Sequence, residues 1–169
     1  MKKAMRGILI FLMPVLIIGA TLAPRITVLI DLDPNSAAQT VIVESIAADS
    51  HGLLYVCDRV SGNVWRIDPR KPKLVVVGRV EPRETGGRKV NADASGLAFN
   101  QEGDLFIASG AFSEVLRIRS RDLDPDKPGM ALTFATFAEG ANGVAVDKNG
   151  NVYISGGRNG KIYRTGREG

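Results

Sequence analysis

The chain carries one motif three times. The copies read SIAADSHGLLYVCDRVSGNVWRI at 45–67, SGLAFNQEGDLFIASGAFSEVLRI at 95–118 and NGVAVDKNGNVYISGGRNGKIYRT at 142–165. They align without gaps on Gly52, Gly103 and Gly150, at spacings of 51 and 47 residues (from 52 to 103 and from 103 to 150). Repeats of about 40–50 residues that consist of short strands are typical of propeller blades. The motif therefore predicts an all-β chain made of blades.

Each unit reads as short strands separated by polar turns. An apolar run such as 97–99 opens the unit, and a glycine-containing turn such as NQEG follows, which suits a hairpin because these residues tolerate left-handed backbone angles. Two β-rich runs come next, and a fourth run appears at 74–77 and at 131–137. Four antiparallel strands are the content of a propeller blade. We expect about three such blades, or half a propeller, at 41–90, 91–138 and 139–169.

The third unit shows no fourth apolar run, so its blade needs a strand from elsewhere. The segment 25–31 (RITVLID), within an expected linker at 25–40, is rich in β-formers and can supply that strand. Residues 41–43 are a second candidate. The closing strand is expected to serve the same chain or a second copy.

Residues 1–24 predict a signal anchor or a signal peptide. They start with MKKAMR and continue with largely apolar residues over 7–24, the basic start and apolar centre of such leaders. About 17–20 apolar residues are just enough to span a bilayer, and Pro24 disfavours cleavage after Ala23. Because basic leader ends stay in the cytoplasm, we expect a single-pass protein of the bacterial inner membrane with its repeats in the periplasm. A secreted protein is the alternative.

The charge balance gives no sign of a nucleic-acid partner. Lys and Arg number 22 against 18 Asp and Glu, a formal charge of +4 to which the leader contributes three positives. No basic stripe interleaved with aromatic residues is present. A basic cluster does occur between the first two units, but acidic residues lie within it, so a solvated loop is expected; its members are Arg79, Arg83, Arg88 and Lys89, with Glu81 and Glu84.

The single cysteine and the single histidine predict no catalytic pair. Cys57 corresponds to Ala108 and Ser155 in the other units, so we interpret it as a small buried residue. As the only cysteine it excludes an internal disulfide. His51 lies in a turn six residues earlier, which disfavours a Cys–His dyad or a metal site at this pair.

Three oxygen-bearing residues occupy one position of the repeat. Glu44, Ser95 and Asn142 each come just before the first strand of their unit, a position that lies near the axis of a propeller at one face. A carboxylate, a hydroxyl and an amide are oxygen ligands that suit Ca²⁺ or another divalent cation. The alternative is that these side chains only cap the entry to each strand. The loop at 78–94 is expected at the same face.

The repeat also resembles a known family. ESIAAD, LLYVCD and GNVWRIDP in the first unit resemble a blade of the SMP-30/gluconolactonase/LRE-like family, and SGLAFNQEGDLFIAS and NGVAVDKNGNVYIS are similar to its other blades and to NHL repeats. The resemblance covers 41–169. It implies a divalent-metal enzyme that opens lactones or esters, with Glu44 and Asn142 at metal positions. Ser95 departs from the expected Asn, and Asp93 and Asp58 are the candidates for a general base.

That family closes about six blades, whereas three units are visible here. Open blade edges invite pairing with another chain, so we expect a second copy or a larger membrane complex as partner. The leading hypothesis is thus a membrane-tethered interaction module or accessory subunit. The alternative is a metal-dependent lactonase or esterase.

Overall fold

A computed structural model describes residues 25–34, 37–137, 140–156 and 160–169. The expected leader at 1–24 lies outside these residues. Within them, no helix has the length and apolar character needed to cross a bilayer. Apart from one 3-10 turn at Ser120–Asp122, the regular secondary structure of the described residues is all β-strand, which confirms the all-β prediction.

The first unit forms an antiparallel sheet whose strands are neighbours in chain order. Alternating apolar residues and the intervening polar turns set its four strands, which are β1 (Val43–Ala48), β2 (Leu54–Asp58), β3 (Asn63–Ile67) and β4 (Val75–Arg79). The expected fourth strand is therefore present, one residue later than its apolar run begins.

The connection to the second unit is not the open loop that the sequence suggested. It contains a short antiparallel hairpin of β5 (Arg83–Thr85) and β6 (Arg88–Val90). The turn between them is Gly86-Gly87, and both glycines have positive φ angles, 58° and 73°. A pair of such residues suits a tight two-residue hairpin turn, which explains why a polar segment forms strands.

The second unit supplies a four-stranded sheet and lends a strand to the first. Its strands in chain order are β7 (Ala94–Phe99), β8 (Leu105–Ser109), β9 (Glu114–Ile118), β10 (Gly129–Met130) and β11 (Leu132–Thr136). The sheet order is β11-β9-β8-β7, and β10 instead pairs in parallel with β4 of the first sheet. The chain thus runs from the second blade to the outer edge of the first and returns.

The third unit is a three-stranded sheet in the described part of the chain. Its strands are β12 (Ala141–Val146), β13 (Val152–Gly156) and β14 (Ile162–Thr165). Neither candidate for a closing strand is paired with it: 25–31 form no strand, and Val43 begins β1, opposite Asp58. Neither segment therefore closes the third sheet among the described residues. Strand exchange between two copies stays a prediction.

The three aligned glycines lie where the repeat required them. Gly52, Gly103 and Gly150 have φ angles of 77°, 81° and 82°, in the left-handed region. Their turns are closed in the same way in each blade, because the side chain that opens the turn accepts a backbone N–H four residues on. These bonds run from Leu53 N to Asp49 Oδ1, from Asp104 N to Asn100 Oδ1 and from Asn151 N to Asp147 Oδ1.

Two apolar layers hold the blades together, one at each side of the second blade. Leu105, Ile107 and Leu116 face the first blade and join a core that contains Val64 and Val77, among others. On the opposite side of the same sheet, Phe106, Ala108 and Val115 pack against residues of the third blade, including Val152 and Ile154. The inner strands β1, β7 and β12 lie side by side. Because successive side chains of a strand point to opposite faces, the second sheet packs against the first blade with one face and against the third blade with the other.

Candidate functional site

The structure gathers the three predicted site residues into one cleft. Glu44, Ser95 and Asn142 line an open cleft of about 450 Å³, together with Arg59 and Asp93, among others. Each is the second residue of its inner strand rather than the residue before it, so the strands begin two residues earlier than expected. The prediction that equivalent positions of the repeat converge still describes their arrangement, because the inner strands lie side by side.

Arg59 is the residue of this cleft that the sequence reasoning missed. It follows β2, and its guanidinium forms ion pairs with the carboxylates of Glu44 and Asp93. Asp93 has a φ of 52°, a backbone conformation that aspartate tolerates better than most residues, and it lies directly before β7. The three side chains therefore link the first blade to the start of the second. In the other units the position of Arg59 is held by glycine, so the repeat gave no signal for a cation.

Ser95 ties the second blade to the third. Its hydroxyl oxygen lies 2.8 Å from the carbonyl oxygen of Asn142 and 3.2 Å from that of Ala141, so the single hydroxyl proton is donated across the junction. The next residue, Gly96, packs so closely that an added Cβ would come within 2.6 Å of the Asn142 carbonyl oxygen. A structural role of the kind expected for strand entry is thus visible at Ser95.

These oxygens do not fit a divalent cation as they are arranged. The carboxylates of Glu44 and Asp93 are both paired with Arg59, so a metal ion that binds them would have to displace the guanidinium. Among the described residues, no three His, Cys, Asp or Glu side chains are grouped closely enough to hold a metal ion. A cation at Glu44, Ser95 and Asn142 stays a prediction, and binding would require the guanidinium to move.

Asp58 acts as a structural cap rather than as a general base. Its buried carboxylate accepts hydrogen bonds from the backbone N–H groups of Ile42, Val60 and Ser61 and from the Ser61 hydroxyl. Burial by itself raises the pKa of Asp58, but these hydrogen bonds outweigh it, so the pKa lies below its usual value. A carboxylate with four donors holds its negative charge firmly and is a poor proton acceptor.

Cys57 and His51 lie at opposite ends of β2. Cys57 is a buried residue of the core between the first two blades, as the repeat predicted. Burial, and the neighbouring charge of Asp58, raise the pKa of its thiol to about 12. His51 is exposed in the turn before β2. The thiol is therefore kept protonated and unreactive.

Arg83 belongs to the basic segment that was expected to be a solvated loop, but its side chain contacts the second blade. Arg83 donates through Nη1 and Nη2 to the two carboxylate oxygens of Glu114, both at 2.8 Å. Its guanidinium also lies 4.2 Å from the ring centre of Phe112, and Thr133 donates to Glu114 at 2.8 Å. We name these four residues the Arg83 clasp. It fastens the β5–β6 hairpin to the second blade, so the expectation of a solvated loop was wrong for Arg83.

Comparisons with known proteins bear on the fold. Neither a family model nor a curated protein matches this sequence. Several solved structures do match. A chain of a nidogen/laminin complex matches at 14% identity with a TM-score of 0.58, and the alignment covers 75% of this chain and 45% of the nidogen/laminin chain. A gluconolactonase from Xanthomonas campestris matches at 16% identity and 0.58, covering 75% and 44%. Virginiamycin B lyase from Staphylococcus aureus matches at 15% and 0.51, covering 77% and 42%.

The chain spans less than half the length of each of these proteins. At such identities the likeness concerns the fold alone. It agrees with the resemblance stated from the repeat motifs, since a gluconolactonase is among the matched structures. The chain has the fold of part of a β-propeller.

Proposed function

We propose that this chain is a membrane-tethered protein-interaction module that docks a partner through the two ends of its blade array. The observation that carries the proposal is a change of exposure at one repeat position. Val64 in β3 and Val115 in β9 are 0% exposed, because each packs against the following blade. Ile162 in β14 holds the same position in the third blade and is 71% exposed. We call this surface, around Ile162 and Ser155, the rear face.

The opposite end of the array shows the same contrast. Leu97 in β7 packs against the preceding blade and is 8% exposed, whereas Ile46, its counterpart in β1, is 59% exposed. Val43 on the same strand is also exposed, while Val56 and Ile67 farther out on this sheet are buried. The open part of this end is thus the inner strand, and we call the surface around Val43 and Ile46 the front face.

Burial of the exposed Ile46 and Ile162 side chains would stabilise a docked complex. Full burial of an isoleucine side chain stabilises by about 1.5–3 kcal/mol, and exposed apolar residues at the edge of a repeat array need a cover. The cleft offers no comparable set for catalysis, since its carboxylates pair with Arg59. The matched nidogen/laminin complex supports the proposal, because there a protein of this fold belongs to a protein assembly.

A site-specific photo-crosslinker tests the interaction module in intact cells. We expect a discrete adduct when the crosslinker replaces Ile46 or Ile162, with the partner sequenced from the adduct. Leu132 is the matched control, because it is 69% exposed but lies on the outermost strand of the second blade, away from both end faces. Equal adducts from Leu132 and Ile162, or none from either end face, would refute the module.

Membrane tethering is a separate part of the proposal, supported by the apolar leader at 7–24. We expect the full chain to stay with membranes through an alkaline wash and a chain starting at residue 25 to be released. A protease added outside the inner membrane should digest the blades. Release of the full chain by the wash would show that the leader is cleaved.

A metal-dependent lactonase or esterase is the second candidate, favoured by the convergence of Glu44, Ser95 and Asn142 in one cleft. If it is right, millimolar Ca²⁺ raises the melting temperature of the wild type, and Glu44→Ala abolishes this rise. Arg59→Gln should strengthen the response, because it frees both carboxylates. An unchanged melting temperature in all three proteins, together with no hydrolysis of a simple lactone, would remove this candidate.

A further inference from the structure

We infer that the partner is a second copy of this chain and that two copies close one ring of six blades. This inference rests on the proposed interaction module and names the occupant of its two end faces. Its basis is that the front and rear faces are the two halves of a junction that the chain already makes twice.

The first junction shows which surfaces meet. The rear of the first blade presents Tyr55 and Val64, and the front of the second presents Leu97 and Phe99. The rings of Tyr55 and Phe99 meet edge to face, with centres 4.8 Å apart. A polar contact accompanies the apolar layer, because Leu97 N–H donates to the hydroxyl of Ser45 at 3.1 Å. Rear and front are thus complementary in both apolar and polar groups.

The second junction repeats the arrangement one blade further on. Phe106 and Val115 at the rear of the second blade belong to the same core layer as Val144 and Ile154 in the third. Here too a serine of an inner strand bridges the two blades, through the bonds from Ser95 to the carbonyls of β12. One type of rear face therefore packs on one type of front face at both junctions.

The rear face and the open inner strand of the front face carry aliphatic residues at the central positions of such a junction. In the register of the sheets, Ser155 opposite Ile162 repeats Cys57 opposite Val64 and Ala108 opposite Val115. Ile46 opposite Val56 likewise repeats Leu97 opposite Ile107. The rear face of one copy is thus the counterpart of the front face of another, with an aliphatic residue at each central position.

The size of the described array suits closure by two copies. The chain aligns with 42–46% of the length of several propeller structures, so three units make up about half of a ring. A contact between unlike faces produces either an open filament or a closed ring. Two half rings related by a two-fold axis close, use both faces of both copies and leave no apolar end exposed.

The ring would also complete the cleft. Glu44 lies at the front end of the array and Asn142 at the rear end, so within the described residues neither has a neighbouring blade on its outer side. In the ring, Asn142 of one copy adjoins Glu44 of the other, just as Ser95 adjoins Asn142 within the chain. The axial rim then contains the three residue types twice, and the site at this rim is incomplete without the second copy.

The oligomeric state of the full chain in mild detergent, measured by light scattering and sedimentation, tests the ring. We expect a dimer for the wild type and for the control Leu132→Asp, and monomers for Ile46→Lys and for Ile162→Asp. Each substitution occurs at both junctions of the dimer, so roughly a tenfold loss per junction becomes about a 100-fold rise in Kd. Circular dichroism verifies that each variant is folded.

A mixing experiment tests that unlike faces meet. When Ile46→Lys and Ile162→Asp chains are combined, one junction of the mixed dimer carries both substitutions and the other carries none. The doubly substituted junction brings the introduced lysine near the introduced aspartate, and because their charges are opposite the two losses partly cancel. We therefore expect dimers to reappear in the mixture although each variant alone is monomeric. A dimer built from two like faces cannot be restored in this way, so failure to recover would overturn the ring.

The inference and the proposed function fail in different ways. A wild type that is monomeric at every concentration overturns the ring, as does a dimer that tolerates both end-face substitutions. In that case, crosslinking from Ile46 and Ile162 to a different protein in cells would leave the interaction module standing. Monomers without such crosslinks would remove both.

Discussion

Replacing Arg83 by methionine measures how much the Arg83 clasp stabilises the fold. Methionine keeps much of the apolar stem but removes the two hydrogen bonds and the positive charge. Glu114 then retains only the Thr133 hydroxyl as a partner while its side chain stays 10% exposed. A carboxylate that is buried and left without its cation is among the costly changes in a protein.

The structure sets the size of the effect. Breaking a fully buried ion pair costs about 3–5 kcal/mol, but the Arg83 side chain is 42% exposed, so water screens part of the interaction. We therefore expect a loss of about 2 kcal/mol, including the contact of Arg83 with Phe112. For a chain of this length, that lowers the melting temperature by about 4–8 °C.

Arg70 provides the matched control for this measurement. It too contacts its carboxylate through two nitrogens, with distances of 2.9 Å to Asp68, but both groups lie at the surface. Arg70→Met should leave the urea midpoint unchanged within error, because exposed pairs contribute little. The fluorescence of Trp65, the single tryptophan, reports unfolding. Equal midpoints for the Arg70 and Arg83 variants would refute the reasoning.

The clasp also predicts a dependence on pH. Hydrogen bonds from Arg83, against an opposing effect of burial, hold the pKa of Glu114 below its ordinary value of 4.5. A carboxyl whose pKa is lowered by folding stabilises the protein above its unfolded pKa and loses that contribution as pH falls through the folded pKa. The stability gap between wild type and Arg83→Met should thus be fully present at pH 7 and shrink below about pH 4.5.

Three further outcomes can be measured on the wild type and on single variants. Gly62→Ala should cost about 3 kcal/mol and Gly52→Ala about 1, since both have positive φ angles but only Gly62 would press its new Cβ onto the Val80 carbonyl. Cys57 should resist alkylation at pH 8 until urea unfolds the chain, because its pKa is about 12. Tyr55→Phe should cost about 1 kcal/mol in thermal unfolding, through loss of the hydrogen bond to the turn carboxylate. An alkylation rate independent of urea, or equal losses at the two glycines, would contradict these expectations.

The sequence predicted the features that depend on local repetition. Turn glycines such as Gly103 required left-handed angles, and the small residues at the equivalent positions of the other units predicted that Cys57 is buried. The convergence of Glu44, Ser95 and Asn142 also followed, because equivalent positions of equivalent strands meet wherever blades lie side by side. The repeat alone was therefore enough to predict the fold and the position of the cleft.

The sequence missed the features that occur once. Arg59 has no cationic counterpart in the other units, so nothing in the repeat indicated that it would pair with the two carboxylates of the cleft. Arg83 and Glu114 are 31 residues apart, and their pairing depends on how the hairpin folds back over the second blade. Contacts of this kind are set by tertiary packing and leave no periodic trace along the chain.

The excursion of β10 to the edge of the first sheet affects how the molecule opens. The parallel pairing of Gly129 and Met130 with β4 joins the first two blades by backbone hydrogen bonds. These blades should therefore separate only after β10 detaches from β4. Among the described residues, no strand of the third blade pairs with the sheet of another blade. Local opening should accordingly begin there, and amide protons of β13 and β14 should exchange with solvent before those of β3 and β9. Unfolding then proceeds in stages, starting from the blade that carries the rear face.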